Sequence, residues 1–338
     1  MRIALDAMGG DHAPEEIVAG AVMACNTYKD VKLLLVGKEE EIRRELAKYQ
    51  YPEDRIKLIT ASQVINMDES PTRALKEKQD SSIVKGLRLI KEKRADAFVS
   101  AGNTGAVMAG SLFNVGRLKG IKRPSISISF PSETGRTVVM DNGANTDSKP
   151  EHLLQFAIMG QIYARHILGV ENPRVGLLSI GEEKEKGNQL TKESYQLFAK
   201  DKRIKNFVGN VEGRDIFNGS CDLVICDGFV GNVVLKTTEG VAFLMFKLLK
   251  EAFTRNLWTK IAALILKPYL KDLKNKTDYR QYGGAPLLGV NGVVIISHGS
   301  SDAIAIMNAV KAAREAVKGE IVRLIEEEIN KDGENDGS

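Results

Sequence analysis

Residues 2–25 read RIALDAMGGDHAPEEIVAGAVMAC: a short apolar strand, a Gly-Gly turn and a helical pattern. The same order recurs along the chain, where β-branched apolar runs end in Gly, Asn, Ser or Thr and helix formers follow. This alternation predicts βαβ units and an open, largely parallel sheet with helices on both faces, a three-layer α/β/α fold. Ligands of such sheets bind beyond the carboxyl ends of the strands, where the glycines of this chain cluster.

The alternation divides the chain into strands and helices as follows. The predicted strands are residues 3–6, 32–36, 56–59, 97–100, 125–130, 137–140, 175–180, 223–226 and 293–297. The predicted helices are residues 14–25, 39–49, 81–93, 151–168, 187–199, 303–318 and 320–330. We expect one catalytic domain over residues 1–330, followed by a frayed polar tail at 331–338.

Composition argues against several classes of protein. The 338 residues carry 48 Lys and Arg against 44 Asp and Glu, a net charge of +4, and 6% of them are aromatic. This combination disfavours nucleic-acid binding. Three cysteines without a C-x-x-C motif, and four histidines, disfavour a disulfide framework and a zinc site. Because no run of 18 apolar residues and no signal-peptide pattern occurs, we expect a soluble cytoplasmic protein that contacts membranes only from their surface.

The first candidate site is the turn in residues 6–14. Gly9 and Gly10 let a ligand approach the backbone, the helix that follows offers its N-terminus to an anion, and His12 could donate a proton. A simple βα turn with Asp11 as the helix cap explains the same residues. Both interpretations stay open.

The second candidate site is the turn in residues 100–107. Gly102 and Gly105 bracket Asn103 and Thr104 at a helix start, which suits binding of a phosphate or carbonyl oxygen by backbone N–H groups. A plain N-cap at Asn103 or Thr104 is the alternative.

Two further loops follow strands. Residues 141–150 contain Asn145 between two Asp residues, a spacing that favours turn formation and capping over a metal site. Residues 180–188 are a charge run closed by Gly-Asn, in which Lys186 could reach a strand-end crevice and Asn188 begins the next helix. A solvated charged loop is the alternative.

The last two loops are residues 226–232 and 297–302. In the first, an Asp-Gly turn at Gly228 leads to a Gly-Asn helix opening at Asn232, and Cys226 is more typical of a buried inert thiol than of a nucleophile. In the second, His298 ends a strand beside two serines, without the Gly-x-Ser-x-Gly elbow of hydrolases.

Residues 240–280 differ from the rest of the chain in charge, with nine Lys and Arg against three Asp and Glu. Pro268 is expected to end one helix and start another, which makes about 240–280 a basic helical hairpin. Such a hairpin fits a membrane surface or an acidic partner, although a dimer-forming or core helix with snorkelling lysines fits equally well. The candidate membrane-contact residues are Phe253, Leu257, Trp258, Ile261, Leu264 and Ile265.

Seven segments together resemble one known family. They are DAMGGDHAP at 6–14, MDESPTRALKEKQDSS at 67–82, VSAGNTGA at 99–106, MDNGANTDSKPEHL at 140–153, IGEEKEKGN at 180–188, CDGFVGNVVLKTTEG at 226–240 and YGGAPLLGVNG at 282–292. The chain resembles the acyl-ACP:phosphate acyltransferase (PlsX) family of bacterial phospholipid synthesis from residue 1 to about 322. Ser179 and Lys184 depart from the family pattern and leave Lys186 and Gly187 in register.

The resemblance implies a reaction, a fold and partners. Acyl-ACP and inorganic phosphate would give acyl phosphate and free acyl carrier protein (ACP), and the product would pass to a membrane glycerol-3-phosphate acyltransferase. The fold would be similar to phosphate acetyltransferases and to isocitrate and isopropylmalate dehydrogenases, usually as a homodimer. Basic residues beside the hairpin would meet the acidic ACP, and the hairpin would release the product at the membrane surface.

Phosphate is the nucleophile of this reaction and a thiolate is a good leaving group, so no cofactor or metal is required. The enzyme must hold the anion against the thioester and stabilise the oxyanion. We expect Lys186 to clamp phosphate, His12 to act as donor or acid, and Asn232 to be a further oxyanion donor. The candidate phosphate- and substrate-binding residues are Gly9, Gly10, Asp11, Gly102, Asn103, Thr104, Gly105, Asn145, Asn188, Gly228 and His298.

Other functions remain open on the sequence. A nicotinamide- and metal-dependent decarboxylating dehydrogenase could share the fold. Such an enzyme needs an Asp cluster to hold a divalent metal and an Arg-rich site to bind a 2-hydroxy acid, and neither can be assembled from this sequence. An acetyl-CoA:phosphate transferase differs in its thiol carrier and chain length. A non-catalytic acyl-lipid sensor would keep the groove without turnover.

Overall fold

The sheet is continuous through the residues that the structure describes. This computed structural model describes residues 1–277 and 283–331, with the backbone alone for 271–277. The strands are β1 (Arg2–Asp6), β2 (Lys32–Gly37), β3 (Ile56–Thr60), β4 (Ala97–Ser100), β5 (Ser125–Ser132), β6 (Gly135–Met140), β7 (Val175–Leu178), β8 (Phe207–Val211), β9 (Leu223–Ile225), β10 (Ala285–Leu288) and β11 (Val293–Ile296). They form one sheet in the order β3-β2-β1-β4-β11-β10-β5-β6-β9-β7-β8.

Helices cover both faces of this sheet. They are α1 (Glu15–Thr27), α2 (Glu39–Leu46), α3 (Pro71–Glu77), α4 (Ser82–Lys91), α5 (Thr104–Gly110), α6 (Pro150–His166), α7 (Gln189–Lys200), α8 (Asp215–Asn218), α9 (Gly228–Thr254), α10 (Leu257–Thr277), α11 (Ala303–Lys318) and α12 (Ile321–Asn330). On the first face, one hydrophobic core contains side chains of α1, α2, α6, α7, α11 and α12. On the second face, another core contains side chains of α3, α4 and α5. The predicted α/β fold with a largely parallel sheet is therefore confirmed.

The direction of the strands reverses in the middle of the sheet. β3, β2, β1, β4 and β11 are mutually parallel, and so are β6, β9, β7 and β8. Between the two groups, β10 and β5 make antiparallel pairs with each other and with their outer neighbours. The two parallel groups therefore run in opposite directions, which the sequence pattern did not predict.

The sequence analysis did not predict two of the strands, β8 and β10. β8 contains Gly209 at a φ of +99° and is half exposed, so it lacks the continuous apolar run of a buried strand. β10 contains Pro286 and follows two glycines, a sequence that is typical of a turn. The short helix α8 was also not predicted, whereas the helix start predicted in residues 102–105 is present as α5.

The predicted hairpin is present, but its turn lies elsewhere. α9 and α10 meet at Arg255 and Asn256, and Pro268 lies inside α10. The prediction that Pro268 separates two helices is therefore wrong. The Asn256 carboxamide caps α10 instead, since its Oδ1 accepts a hydrogen bond from the Thr259 N–H at 3.0 Å. The last part of the predicted hairpin, 278–280, and residues 332–338 of the predicted tail lie outside the described residues.

α9 has a second property that bears on membranes. By length and composition it is the one helix among the described residues that could cross a membrane, and 6% of its most apolar window is buried. A single helix of this kind is weak evidence of a span, because core helices of soluble proteins pass the same test.

Candidate active site

A cleft of about 500 Å³ opens in the middle of the sheet, where two strands separate. β10 pairs with β5 through Leu287 and Leu288, whereas its first residues, Ala285 and Pro286, pair with β11. Residues 283–286 and 126–129 both line the cleft that results. Four predicted site residues also line it: Thr104, Gly105, Asn232 and His298.

The reversal of strand direction explains how loops from both parallel groups reach one cleft. Ile296, at the end of β11, pairs with Ala285, and Met140, at the end of β6, pairs with Ser127. Only β10 and β5 separate these two strand ends in the sheet. The cleft therefore lies between the loops after β4 and β11 on one side and those after β6 and β9 on the other.

On the first side, the turn after β1 packs against the turn after β4. A Cβ on Gly9 would lie 2.6 Å from the Gly102 nitrogen, so only glycine allows this approach. The Asp11 N–H donates to the Gly299 carbonyl at 2.8 Å, which joins the loop after β11 to the same group. His12 is exposed in this turn and is not part of the cleft lining.

A buried carboxylate joins the two turns. The Ser100 hydroxyl donates to Asp6 Oδ2 at 2.7 Å, and the Gly102 N–H donates to the Ser100 hydroxyl at 3.0 Å. Burial raises the pKa of Asp6, and the hydrogen bonds from Ser82, Ser100 and the backbone oppose that rise. Asp6 therefore holds the geometry of the first side and does not face the cleft.

Asn103 organises the loop beside it. Its Oδ1 caps α5 by accepting from the Ala106 N–H at 3.0 Å. Its Nδ2 donates to the carbonyls of Asn66, Met67 and Glu69 at 3.1–3.2 Å. With its amide used internally, Asn103 leaves Thr104 as the exposed polar side chain at the start of α5.

His298 also belongs to the first side. The Ser300 N–H donates to His298 Nδ1 at 3.2 Å, and the Ser300 hydroxyl lies 2.8 Å from the same nitrogen. Because Nδ1 accepts a backbone hydrogen bond, the neutral ring carries its proton on Nε2.

On the second side, Asp141 is the centre of a buried hydrogen-bond network. Its carboxylate accepts from the N–H groups of Ile126, Asn142 and Asn145 at 2.7–2.9 Å, and from the side chains of Ser125 and Asn145. Asn145 is thereby used internally, and its Nδ2 also donates to the Pro124 carbonyl at 2.7 Å.

The start of α9 packs directly against this network. The Gly228 N–H donates to the Asn145 carbonyl at 2.8 Å. A Cβ on Gly231 would lie 1.8 Å from the Asp141 carbonyl oxygen, so the helix can approach only because residue 231 is glycine. This contact places Asn232 beside Gly143 at the cleft, where its amide has no hydrogen-bond partner among the described residues.

We expect Asp141→Ala to lower the free energy of unfolding by about 2–3 kcal/mol, because several buried donors lose their acceptor. Activity per folded molecule should also fall, since the loop that carries Gly143 loses its anchor. Urea denaturation and steady-state kinetics measure the two effects. Asp215→Ala is the matched control, because this buried carboxylate accepts from the Glu212 N–H at 2.7 Å in α8, away from the cleft. Unchanged kinetics in folded Asp141→Ala would contradict the positioning role.

The loop that carries Lys186 lies at the carboxyl end of β7 and does not line the cleft. The Lys186 stem packs over Gly181, where a Cβ would lie 3.0 Å from Lys186 Cγ. The ammonium group has no partner among the described residues. Asn188 caps α7 by accepting from the Thr191 N–H at 2.9 Å, so its side chain is used locally.

Three polar atoms in the cleft walls were missed by the sequence prediction. Ser127 Oγ, Asn142 Oδ1 and Ser297 Oγ are buried without a hydrogen-bond partner among the described residues, and all three residues line the cleft. The alternation SISIS at 125–129 was the available signal, but it equally fits a half-solvated strand.

Other chemistries find little support in the described part of the chain. No group of three or more His, Cys, Asp or Glu residues there could hold a metal ion. Burial raises the pKa of the Cys226 thiol well above its usual value, which suits a structural cysteine.

Comparison with known proteins identifies the family of this chain. A family model described as "Fatty acid synthesis protein" matches residues 1–324. A phosphate acyltransferase from Halothermothrix orenii is 65% identical over 334 residues, 99% of this chain and 100% of that protein. The chain belongs to this family. A phosphate acyltransferase from Dictyoglomus turgidum is 53% identical and covers 98% of each chain. The chain is thus an acyltransferase of the phosphate acyltransferase family.

Solved structures show the same fold at low sequence identity. A phosphotransacetylase from Streptococcus pyogenes superposes with a TM-score of 0.60 at 18% identity, covering 93% of this chain and 94% of its own. A branched-chain phosphotransacylase from Enterococcus faecalis gives 0.58 at 15% identity, covering 94% and 99%. The predicted similarity to phosphate acetyltransferases is therefore confirmed at the level of the fold.

Proposed function

We propose that this phosphate acyltransferase transfers a fatty acyl group from acyl-ACP to inorganic phosphate, giving acyl phosphate for phospholipid synthesis, within one catalytic domain over residues 1–330. One observation carries the proposal. Loops from two opposed strand groups meet at one cleft, and each side offers a polar side chain without a partner among the described residues: Thr104 on the first side and Asn232 on the second. Two polar walls suit a reaction that must hold two substrates in contact.

The chemistry needs little from the protein beyond placement. A phosphate oxygen bonds to the thioester carbon, the carbonyl oxygen takes the negative charge, and the C–S bond then breaks. The released thiolate takes a proton from solvent or from an imidazole. A donor aimed at the oxyanion lowers the barrier by about 2.7–4 kcal/mol.

We assign roles according to the side of the cleft. Thr104 and the backbone N–H groups around Gly102 and Gly105 would bind phosphate, in a loop that Asn103 orients. Asn232, opposite, would donate to the oxyanion. His298 lines the cleft and His12 does not, so His298 is the better placed acid in this conformation.

The test is release of thiol from long-chain acyl-ACP with and without inorganic phosphate. We expect release that depends on phosphate, with acyl phosphate trapped by hydroxylamine. Release without phosphate would indicate a thioesterase. No release from folded protein would favour an acyl-lipid sensor, and turnover with NAD and a divalent metal would favour a dehydrogenase.

We also propose that the α9/α10 hairpin contacts the membrane surface. Trp258 is 79% exposed and Leu264 is 69% exposed. Leu257, Ile261 and Ile265 are also exposed, and Phe253 is half-buried. Arg255 and Lys260, which lie between these residues, would meet anionic lipid headgroups. Leu235 of α9 lines the cleft, so one helix connects the site to the hairpin, and an acyl product could leave beside it.

The remaining assignments concern partners and location. We propose a cytoplasmic, peripherally membrane-associated homodimer that receives acyl groups from ACP. A membrane glycerol-3-phosphate acyltransferase would take the acyl phosphate, because an acyl chain released at a membrane avoids water. Basic residues near the hairpin would attract the acidic ACP.

A further inference from the structure

Two serine hydroxyls beside the cleft are buried and have no hydrogen-bond partner in the part of the chain that the structure describes. Ser127 in β5 is 1% exposed, and Ser297, directly after β11, is 4% exposed. Neither Oγ atom has a partner in residues 1–277 or 283–331, although both residues line the cleft. An unpaired buried hydroxyl destabilises the folded protein. Two of them in one substrate cleft therefore point to a bound group that pairs with them.

Strand alternation turns both hydroxyls to the same face of the sheet. Ile126 packs in the core with α3, α4 and α5, so Ser127, the next residue in β5, points to the opposite face. Ser297 follows Ile296 of that same core. The Ser297 N–H donates to the Ser100 carbonyl at 2.8 Å, so the pairing of β11 with β4 continues through this residue. The side chain of Ser297 therefore also points away from that core. A rotation about χ1 moves a serine Oγ between three staggered positions, which lets each hydroxyl turn toward the cleft.

The walls on this serine face are largely apolar. They are formed by Tyr163, Ile167 and Leu168 near the end of α6 and by Ala305 and Ala312 of α11. The charged residues there, Arg136 and Glu315, have opposite signs. A chamber without excess charge suits a neutral chain with a few polar groups, and it disfavours a free phosphate dianion.

The opposite face offers a different environment. Met108, Ile126, Ile128 and Leu235 line the cleft there, and Leu235 belongs to the helix that leads to the hairpin. The charged residues of that helix in the lining, Lys236 and Glu239, pair with each other at 2.8 Å. Aliphatic walls of this kind suit a hydrocarbon chain. The two faces thus differ: one carries aliphatic side chains beside a paired lysine and glutamate, and the other carries isolated hydroxyls.

We propose that Ser127 and Ser297 bind the amide groups of the pantetheine arm that carries the acyl thioester. Each amide of that arm has one N–H donor and one carbonyl acceptor, and a serine hydroxyl can pair with either. The serines hold the arm on one face of the sheet while the acyl chain lies on the other. The thioester is then placed between the two sides of the cleft, where phosphate reaches it. This inference rests on the proposed acyl-ACP reaction.

The test compares Ser127→Ala and Ser297→Ala with Ser194→Ala. Ser194 lies in α7 outside the cleft, and its Oγ is likewise buried without a partner in the described part of the chain. We expect each cleft variant to raise KM for acyl-ACP and for hexanoyl-pantetheine about threefold to tenfold, the effect of one neutral hydrogen bond. KM for phosphate should stay unchanged. The Tm should not fall, because the alanine removes an unpaired polar atom. Ser194→Ala should leave all kinetic constants unchanged.

Each other outcome overturns the inference. A rise in KM for phosphate alone would assign the serines to the anion site. Wild-type kinetics with an unchanged or higher Tm would mean that the hydroxyls serve no substrate. A fall in Tm in the cleft variants with unchanged KM would make their role structural. Failure of the proposed function is recognised separately, because wild-type protein would then show no phosphate-dependent thiol release.

Discussion

Lys186→Ala should lower kcat/KM for phosphate about 100-fold, with much of the loss in kcat. The Lys186 ammonium has no partner among the described residues, and it extends from a loop at the carboxyl end of β7. A lysine that pairs with phosphate as charge moves onto the thioester oxygen stabilises the transition state more than the ground state. Loss of one such donor costs about 10²–10³ in rate. Phosphate-dependent thiol release over a range of phosphate concentrations separates kcat from KM.

The loop offers its own control. Lys184, two residues away, is exposed and lies 3.9 Å from Glu185, so Lys184→Ala changes the charge of the loop equally. We expect Lys184→Ala to keep nearly wild-type constants and Lys186→Arg to recover part of the activity. Because Lys186 does not line the cleft, its role requires the loop to move on binding phosphate. Equal losses of kcat/KM in the Lys184 and Lys186 variants would show that the effect comes from the charge of the loop and not from Lys186 itself. Wild-type turnover in Lys186→Ala would exclude the clamp.

The double variant Trp258→Glu, Leu264→Glu should abolish binding to vesicles that contain anionic phospholipid. Burial of each large apolar side chain contributes about 1.5–3 kcal/mol, and two carboxylates would in addition repel the anionic surface. Activity with water-soluble hexanoyl-pantetheine should stay at the wild-type level, because neither residue lines the cleft. Vesicle co-sedimentation and the thiol-release assay measure the two properties.

A matched pair outside the hairpin controls for added charge. Phe113 and Val208 are exposed, and Phe113→Glu, Val208→Glu adds the same two carboxylates. This control should bind vesicles as the wild type does. Unchanged vesicle binding by the Trp258 and Leu264 variant would contradict the membrane role. If the same variant dissociated a dimer and still bound vesicles, the exposed face would be a subunit contact, the alternative that its periodicity also allows.

Local sequence was sufficient for most secondary structure. Strand β1, the Gly9-Gly10 turn and helix α1 were predicted from adjacent residues, because short-range backbone preferences and apolar periodicity decide such elements. β10 was missed because Pro286 and two preceding glycines are typical of a turn, and only its neighbours β11 and β5 make it a strand. Pro268 was expected to end a helix because proline removes a backbone hydrogen bond, but α10 continues through it.

The site was predicted less completely than the fold. Thr104, Gly105, Asn232 and His298 do line one cleft, as a strand-end rule would suggest. Asn103 and Asn145, which share the same local pattern, use their amides inside the protein. No local signal distinguishes these cases, because the partners of Asn103 lie 34–37 residues away along the chain.

The sequence by itself determined the α/β class, the strand-end loops that carry the polar side chains, and the family. Each depends on neighbouring residues or on motifs that can be read along the chain. Only the tertiary structure decided that the two parallel groups run in opposite directions and that β10 and β5 separate between them. Strand direction and register are set by which distant segments pair, and that pairing depends on the packing of the whole sheet. The same long-range packing buries Ser127 and Ser297 on one face of the cleft, with no hydrogen-bond partner for either hydroxyl among the residues that the structure describes.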